Sequence, residues 1–191
     1  MAIKFKGYLK NDNQLKKVNE SQLKKMTLEW IDYLFAFLII LYPLTKGLKL
    51  LISRYNGKVL NVFLIDILGF IIVILLMIIH EYFHAITFSK KEDIQIWFQG
   101  FGMITHCTQI KNIKEYLYTL LLPNLLITIP LSIFVIFVKI SNPLILKMIG
   151  LISSIIILGA INDLATIIYI IRNRKQMEYL QLSGKYMYYK K

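Results

Sequence analysis

The segment His80-Glu81-Tyr82-Phe83-His84 is the part of this chain best equipped for chemistry. Histidines at i and i+4 on a helix share one face, so both imidazoles can reach one metal ion. Glu81 follows the first histidine directly. From there it can take a proton from a metal-activated water without using a coordination position. The chain holds only 3 histidines, and two of them fall in this spacing. The plain alternative is a pair of buried histidines satisfied by backbone or neighbours. The setting argues against it, because ionisable groups at the end of a long apolar run are costly and mark function by default.

Two histidines leave a catalytic zinc site incomplete, since such sites usually have three protein ligands and an open position for water. The candidates for the third ligand are Asp163, His106, Asp66 and Cys107. Depth discriminates among them. His80 and His84 lie 10 and 6 residues before Lys90, the first charge after their apolar run, or about 15 and 9 Å at the helical rise. Asp163 lies 9 residues before Arg172 in the last apolar run, about 13.5 Å by the same rise. These three share a level. Asp66 sits near the opposite face, where facing water or pairing with Lys58 is the simpler reading. His106 and Cys107 sit in a loop and would have to fold inward.

The elements that must position these groups are apolar helices. The chain has 191 residues, is 57% hydrophobic and only 18% charged, and has a mean hydropathy of +0.57. Soluble domains are about 45–50% apolar and about 25% charged, so a disordered chain is excluded and a water-soluble globule disfavoured. Four spans reach the roughly 20 residues needed to cross hydrocarbon. They run about 28–51, 59–88, 116–138 and 144–171. Pro43 is expected to kink the first or end it early, and Pro123 and Pro130 interrupt the third. The expected fold is an all-α polytopic membrane protein of about four helices. A 27–171 membrane domain is flanked by a basic tail at 1–26 and a basic, Tyr-rich tail at 172–191.

The net charge is +12. In a soluble chain that would suggest nucleic acid, but here membrane lipid is the expected partner and nucleic acid is not. The two tails and the 89–115 loop together carry 17 Lys and Arg against 6 on the opposite side. The positive-inside rule therefore favours both termini in the cytosol. Cys107 is the one cysteine, so an internal disulfide is excluded. Abundant Ile, Lys, Asn and Tyr with little Ala point to an AT-rich bacterial source.

Between spans two and three the periodicity changes. Ile94, Ile96 and Phe98 alternate with Gln95, Trp97 and Gln99, and Gly100-Phe101-Gly102 breaks the run. Period-2 apolarity around glycines predicts a short β-hairpin. Asn162 and Asn124 are intramembrane amides that could bind substrate backbone or a developing oxyanion; interhelical hydrogen bonding is the plain reading, favoured for Asn124. Gly150 and Gly159 suit close helix approach. Trp30, Tyr42 and Trp97 suit interfacial anchoring, and the last tail suits contact with anionic headgroups.

The HEYFH segment at the end of a hydrophobic helix, a β-like loop, and Gly159-Ala160-Ile161-Asn162-Asp163-Leu164 in a late helix together resemble site-2-protease-type intramembrane metalloproteases. More closely, the chain resembles a family of small four-span bacterial membrane zincin peptidases, over roughly residues 60–170. The resemblance implies zinc bound by His80, His84 and Asp163, with Glu81 as the general base. Leu164 stands where site-2 proteases carry glycine, and span four lacks the prolines of their pattern. The expected activity is hydrolysis of a peptide bond of a membrane protein or peptide, in or beside the bilayer. The rivals are a non-catalytic accessory or immunity-type protein with a structural metal, and a transporter using intramembrane acids.

Overall fold

The computed structural model describes residues 3–10, 14, 15, 17, 23–52, 59–89, 93–99, 102–183 and 186–190. Four apolar helical segments are long enough to cross a membrane: Trp30–Ile52, Phe63–Ile86, Ile113–Phe137 and Pro143–Gln176. The first is a single helix, α1 (Trp30–Ile52), which runs through Pro43 without ending. Its start is fixed by Asp32, whose Oδ2 accepts the Glu29 amide at 2.8 Å. The second is α2 (Val59–Ile86), an unbroken helix.

The other two spans are interrupted. In the third, α3 (Ile113–Pro123) passes into a π-helical turn, Asn124–Thr128, and then into α4 (Ile129–Phe137). Pro123 and Pro130 explain the fault, because each lacks the amide hydrogen that the carbonyl four residues earlier would accept. In the fourth, α5 (Pro143–Gly159) ends and α6 (Ile161–Asn173) begins at once, with Ala160 between them.

The described chain is mostly helical, as expected, and outside the helices it holds seven short strands where one hairpin was expected. β3 (Ile94–Gln99) and β4 (Gly102–His106) pair antiparallel between α2 and α3. The Gly100–Phe101 turn expected there lies outside the described residues. β1 (Ile3–Tyr8) adds to β3 in parallel, giving the order β1-β3-β4. A second sheet, β2-β7-β6-β5, joins β2 (Lys24–Lys25), β5 (Lys111–Asn112), β6 (Tyr179–Ser183) and β7 (Tyr186–Lys190). The C-terminal tail is thus a hairpin, and parts of both tails fold into sheets. Trp97, expected at an interface, is buried beside Leu9 and Leu15, with its indole donating to Gln95 Oε1 at 3.1 Å.

The second sheet draws its strands from the N-terminal tail, the segment before α3 and the C-terminal tail, so all three regions lie on one side of the bundle. Arg172 at the end of α6 repeats the lesson, reaching Glu29 Oε2 at 2.8 Å and Asp32 Oδ1 at 3.5 Å at the start of α1. Met26, Tyr116, Leu120, Ile170 and Leu180 form the core that ties the sheet to α3 and α6. Ile94, Ile96 and Met103 pack with Ala85 and Phe88 at the end of α2.

At the other end, Gly150 lets α5 meet α1 directly. A Cβ there would lie 2.7 Å from the Gly47 carbonyl oxygen. Gly159 differs from that expectation, since a Cβ there would touch nothing within 4 Å. Asp66 pairs with Lys147 Nζ at 2.9 Å, linking α2 to α5; Lys58, the partner expected for it, lies outside the described residues.

Candidate metal centre

His80 and His84 project from the last two turns of α2, one turn apart, with ring centroids 5.0 Å apart and rings 75° to one another. Asp163, in the first turn of α6, faces them both. Its Oδ2 lies 3.1 Å from His80 Nε2 and 3.2 Å from His84 Nε2. The break after Gly159 leaves Asp163 in the first turn of α6, where its carboxylate meets both histidines.

His84 is oriented from behind. Its Nδ1 lies 2.8 Å from the Thr119 carbonyl oxygen, which can only accept, so Nδ1 carries a hydrogen and Nε2 is the ring atom turned toward Asp163 and left to bind a metal. Pro123 supplies the reason. It stands four residues after Thr119 and has no amide hydrogen, so it leaves this carbonyl without its helical donor. Asn124 repairs the next turn. Its amide N–H reaches the Leu121 carbonyl, and its Nδ2 donates to Leu120 O at 2.8 Å and to Asp163 Oδ2 at 3.1 Å. Asn124 is 2% exposed and holds the aspartate from inside the protein; it is not among the residues that line the cavity. Asn162 is exposed and does line it.

Glu81 points to the same centre, and the ligand atoms of His80, Glu81 and His84 lie within 4.8 Å of one another. Its contacts separate it from Asp163. The Thr105 hydroxyl of β4 donates to Glu81 Oε2 at 2.8 Å and to the Glu81 carbonyl at 2.9 Å. Asp163 contacts both imidazoles through a single oxygen, whereas Glu81 is tethered to the sheet.

The donor set fits zinc. Two ligand atoms each about 2.0–2.1 Å from one tetrahedral ion stand about 3.3 Å apart, and the aspartate-to-histidine separations are 3.1 and 3.2 Å. Two imidazole nitrogens with one carboxylate is also a known catalytic zinc set. The centre opens into a cavity of about 260 Å³. Its walls come from α2, α3, α6, strand β4 (Met103, Thr105) and the C-terminal hairpin (Leu182, Met187). A second space of about 210 Å³ runs from His80 and Glu81 between Met77 and Ile156, flanked by Gly159.

A model of the family described as "Putative zincin peptidase" matches residues 73–177, more than half of the chain. The chain belongs to that family. Zinc is the metal that the family implies, and peptidase is the activity. No curated protein and no solved structure matches significantly. Within this zincin the matched stretch begins in α2 seven residues before His80 and ends just past α6, so it holds both histidines, Glu81, Asn124 and Asp163.

Of the other third-ligand candidates, Asp66 is held by Lys147. His106 is buried at the end of β4 and lines the cavity wall. Cys107 is buried in the core beneath the sheet. Sequence reasoning missed Thr105, Thr119, Thr87 and Lys111. The one signal available was Pro123, which marks the Thr119 carbonyl as free but cannot say what takes it. Lys111 is 3% exposed, and burial pushes its ammonium down from the usual lysine range to about 8. Asp93, which opens the strand region, is held below the usual carboxylate range by Lys4, 2.8 Å away.

Proposed function

We propose that this zincin is a membrane-embedded, site-2-protease-like metallopeptidase that hydrolyses a peptide bond in or beside the bilayer. His80, His84 and Asp163 would hold the zinc, and Glu81 is the general base. The observation that carries the reading is the convergence of two Nε2 atoms on one Asp163 oxygen at 3.1 and 3.2 Å, with Glu81 beside them on a cavity wall. When bound, zinc polarises the scissile carbonyl and makes a water acidic enough to be activated near neutral pH.

The chain's own groups supply the rest. Thr105 occupies Glu81 Oε2, and the other carboxylate oxygen has no hydrogen-bond partner among the described residues. That oxygen takes the proton as water adds to the carbonyl carbon. The same carboxyl then gives a proton to the amine as the C–N bond breaks. Asn162, exposed beside Asp163 on the cavity wall, is placed to hydrogen-bond substrate backbone.

The substrate is a membrane protein segment or peptide whose helix can unwind, because a helical peptide bond is shielded by its own hydrogen bonds. β4 pairs only with β3 among the described strands, so its other edge is available to take an extended segment as an added strand. The space between Met77 and Ile156 offers a way in from the lipid side. The protein sits in a bacterial cell membrane with the tails, the sheets and the 89–115 loop on the cytosolic side, as the charge distribution favours.

The test compares membrane proteomes of cells carrying wild type or Glu81→Gln, together with the zinc content of each purified protein. A membrane peptide that accumulates uncleaved in the variant, with zinc retained, is the expected result. Identical proteomes with zinc retained would replace catalysis by a structural metal site.

A further inference from the structure

Lys111 is the least explained charge in the molecule. It opens the short strand before α3, and its ammonium is buried. Nζ donates to the Thr87 carbonyl at 3.0 Å, to Thr87 Oγ1 at 2.9 Å and to Thr119 Oγ1, and it sits 3.8 Å from the Phe88 ring centroid. Three donors thus meet three acceptors, with no carboxylate in hydrogen-bond reach among the described residues. A lysine kept for solubility or lipid contact would snorkel its charge to water. Burying the charge is costly unless its hydrogen bonds are satisfied and useful.

What the ammonium joins is specific. Thr87 is the residue just past α2, so Lys111 places positive charge at the end of the metal-bearing helix where carbonyls are unpaired. Thr119 is the residue whose carbonyl fixes the tautomer and pose of His84. The Thr87 and Thr119 hydroxyls also touch at 2.8 Å. One side chain therefore ties the end of α2 to the turn of α3 that orients a metal-facing imidazole.

The geometry points to Lys111 as a positioning residue of the metal centre, acting through Thr119 to hold His84 with Nε2 aimed at Asp163. This rests on the metal reading given under Proposed function. Partners that orient metal-binding histidines are worth about 10–100-fold in metal affinity. A residue that only fastened α2 to α3 would change folding stability and leave affinity alone.

The experiment measures zinc affinity of the full chain in detergent by chelator competition, alongside thermal unfolding of the metal-free protein. Lys111→Met keeps the apolar stem and removes the donors; zinc affinity should fall about 10–100-fold. Lys111→Arg keeps the cation and should recover part of the loss. Thr119→Val removes the hydroxyl but keeps the carbonyl, so it should weaken zinc in the same direction and still reports if Lys111→Met does not fold. Pro123→Ala restores an amide hydrogen that competes for the Thr119 carbonyl; combined with Lys111→Met it should cost less than the sum of the two.

Unchanged zinc affinity in both Lys111→Met and Thr119→Val, with reduced stability, makes Lys111 a fastening alone and overturns the proposal. Strict additivity with Pro123→Ala also overturns it, by removing Thr119 from the route. Wild type that binds no zinc is a separate result, and it overturns the metal reading itself.

Discussion

The second span and the later two contribute to the centre in opposite ways. α2 is an unbroken helix. It brings side chains to the metal centre at the spacing that puts His80 and His84 on one face. The third and fourth spans are interrupted at Pro123–Thr128 and at Ala160. There the backbone itself takes part: Thr119 gives its carbonyl to His84, and the new start of α6 places Asp163. The regular helix brings both histidines, and the faulted helices bring Asp163 and the carbonyl that aims His84. If the spans lie in a membrane, as proposed, a carbonyl released from its ladder there has no water to turn to.

The comparison breaks most visibly at the ligands. His80→Ala, His84→Ala and Asp163→Ala should each lose more zinc affinity than any support-group change, so more than about 100-fold, read by elemental analysis of purified protein. An Asp163→Ala variant with wild-type zinc would move the third ligand elsewhere, with His106 next on the cavity wall. Glu81→Gln should keep zinc and lose hydrolysis by about 10²–10⁴-fold; equal losses of zinc and activity would instead make Glu81 a ligand.

The faulted spans are tested by smaller changes. Pro123→Ala should weaken zinc by about tenfold while leaving the fold in place, and Asn124→Leu should act similarly by releasing Asp163. No change in either case would mean that the faults shape the bundle and not the centre. Far from the centre, Lys147→Met should lower stability by about 1–3 kcal/mol, with zinc affinity untouched.

The last test is one of pH. Lys111 has its proton affinity lowered from 10.5 to about 8 in the folded chain. Between those values the unfolded chain keeps a proton that the folded chain has released, so stability rises with pH there. The stability difference between metal-free wild type and Lys111→Met should therefore shift toward wild type from pH 8 to 10.5 in thermal melts. A difference that stays flat would show that the Lys111 ammonium keeps its proton across that range.

Much of this was legible in the chain alone. The apolar lengths marked out four helical segments long enough to cross a membrane, because hydrocarbon thickness sets the length needed. The pairing of His80 with His84 and the position of Glu81 follow from helical period. The matched depths of His80, His84 and Asp163 follow from helical rise, which needs only a count of residues. Pro123 announced a freed carbonyl in the third span.

Tertiary structure decided the rest. That the freed carbonyl meets His84, that Asn124 turns to Asp163, and that Lys111 lies buried against Thr87 and Thr119 depend on how separate elements are rotated and docked. The tails show the same limit. β6 and β7 pair as neighbours in sequence, but β1 with β3 and β2 with β7 join distant parts of the chain, so no local period revealed those pairings. Helical register is a property of neighbours in sequence and can be read there. The partner of a released carbonyl or an edge strand is a property of neighbours in space, which only the packed bundle supplies.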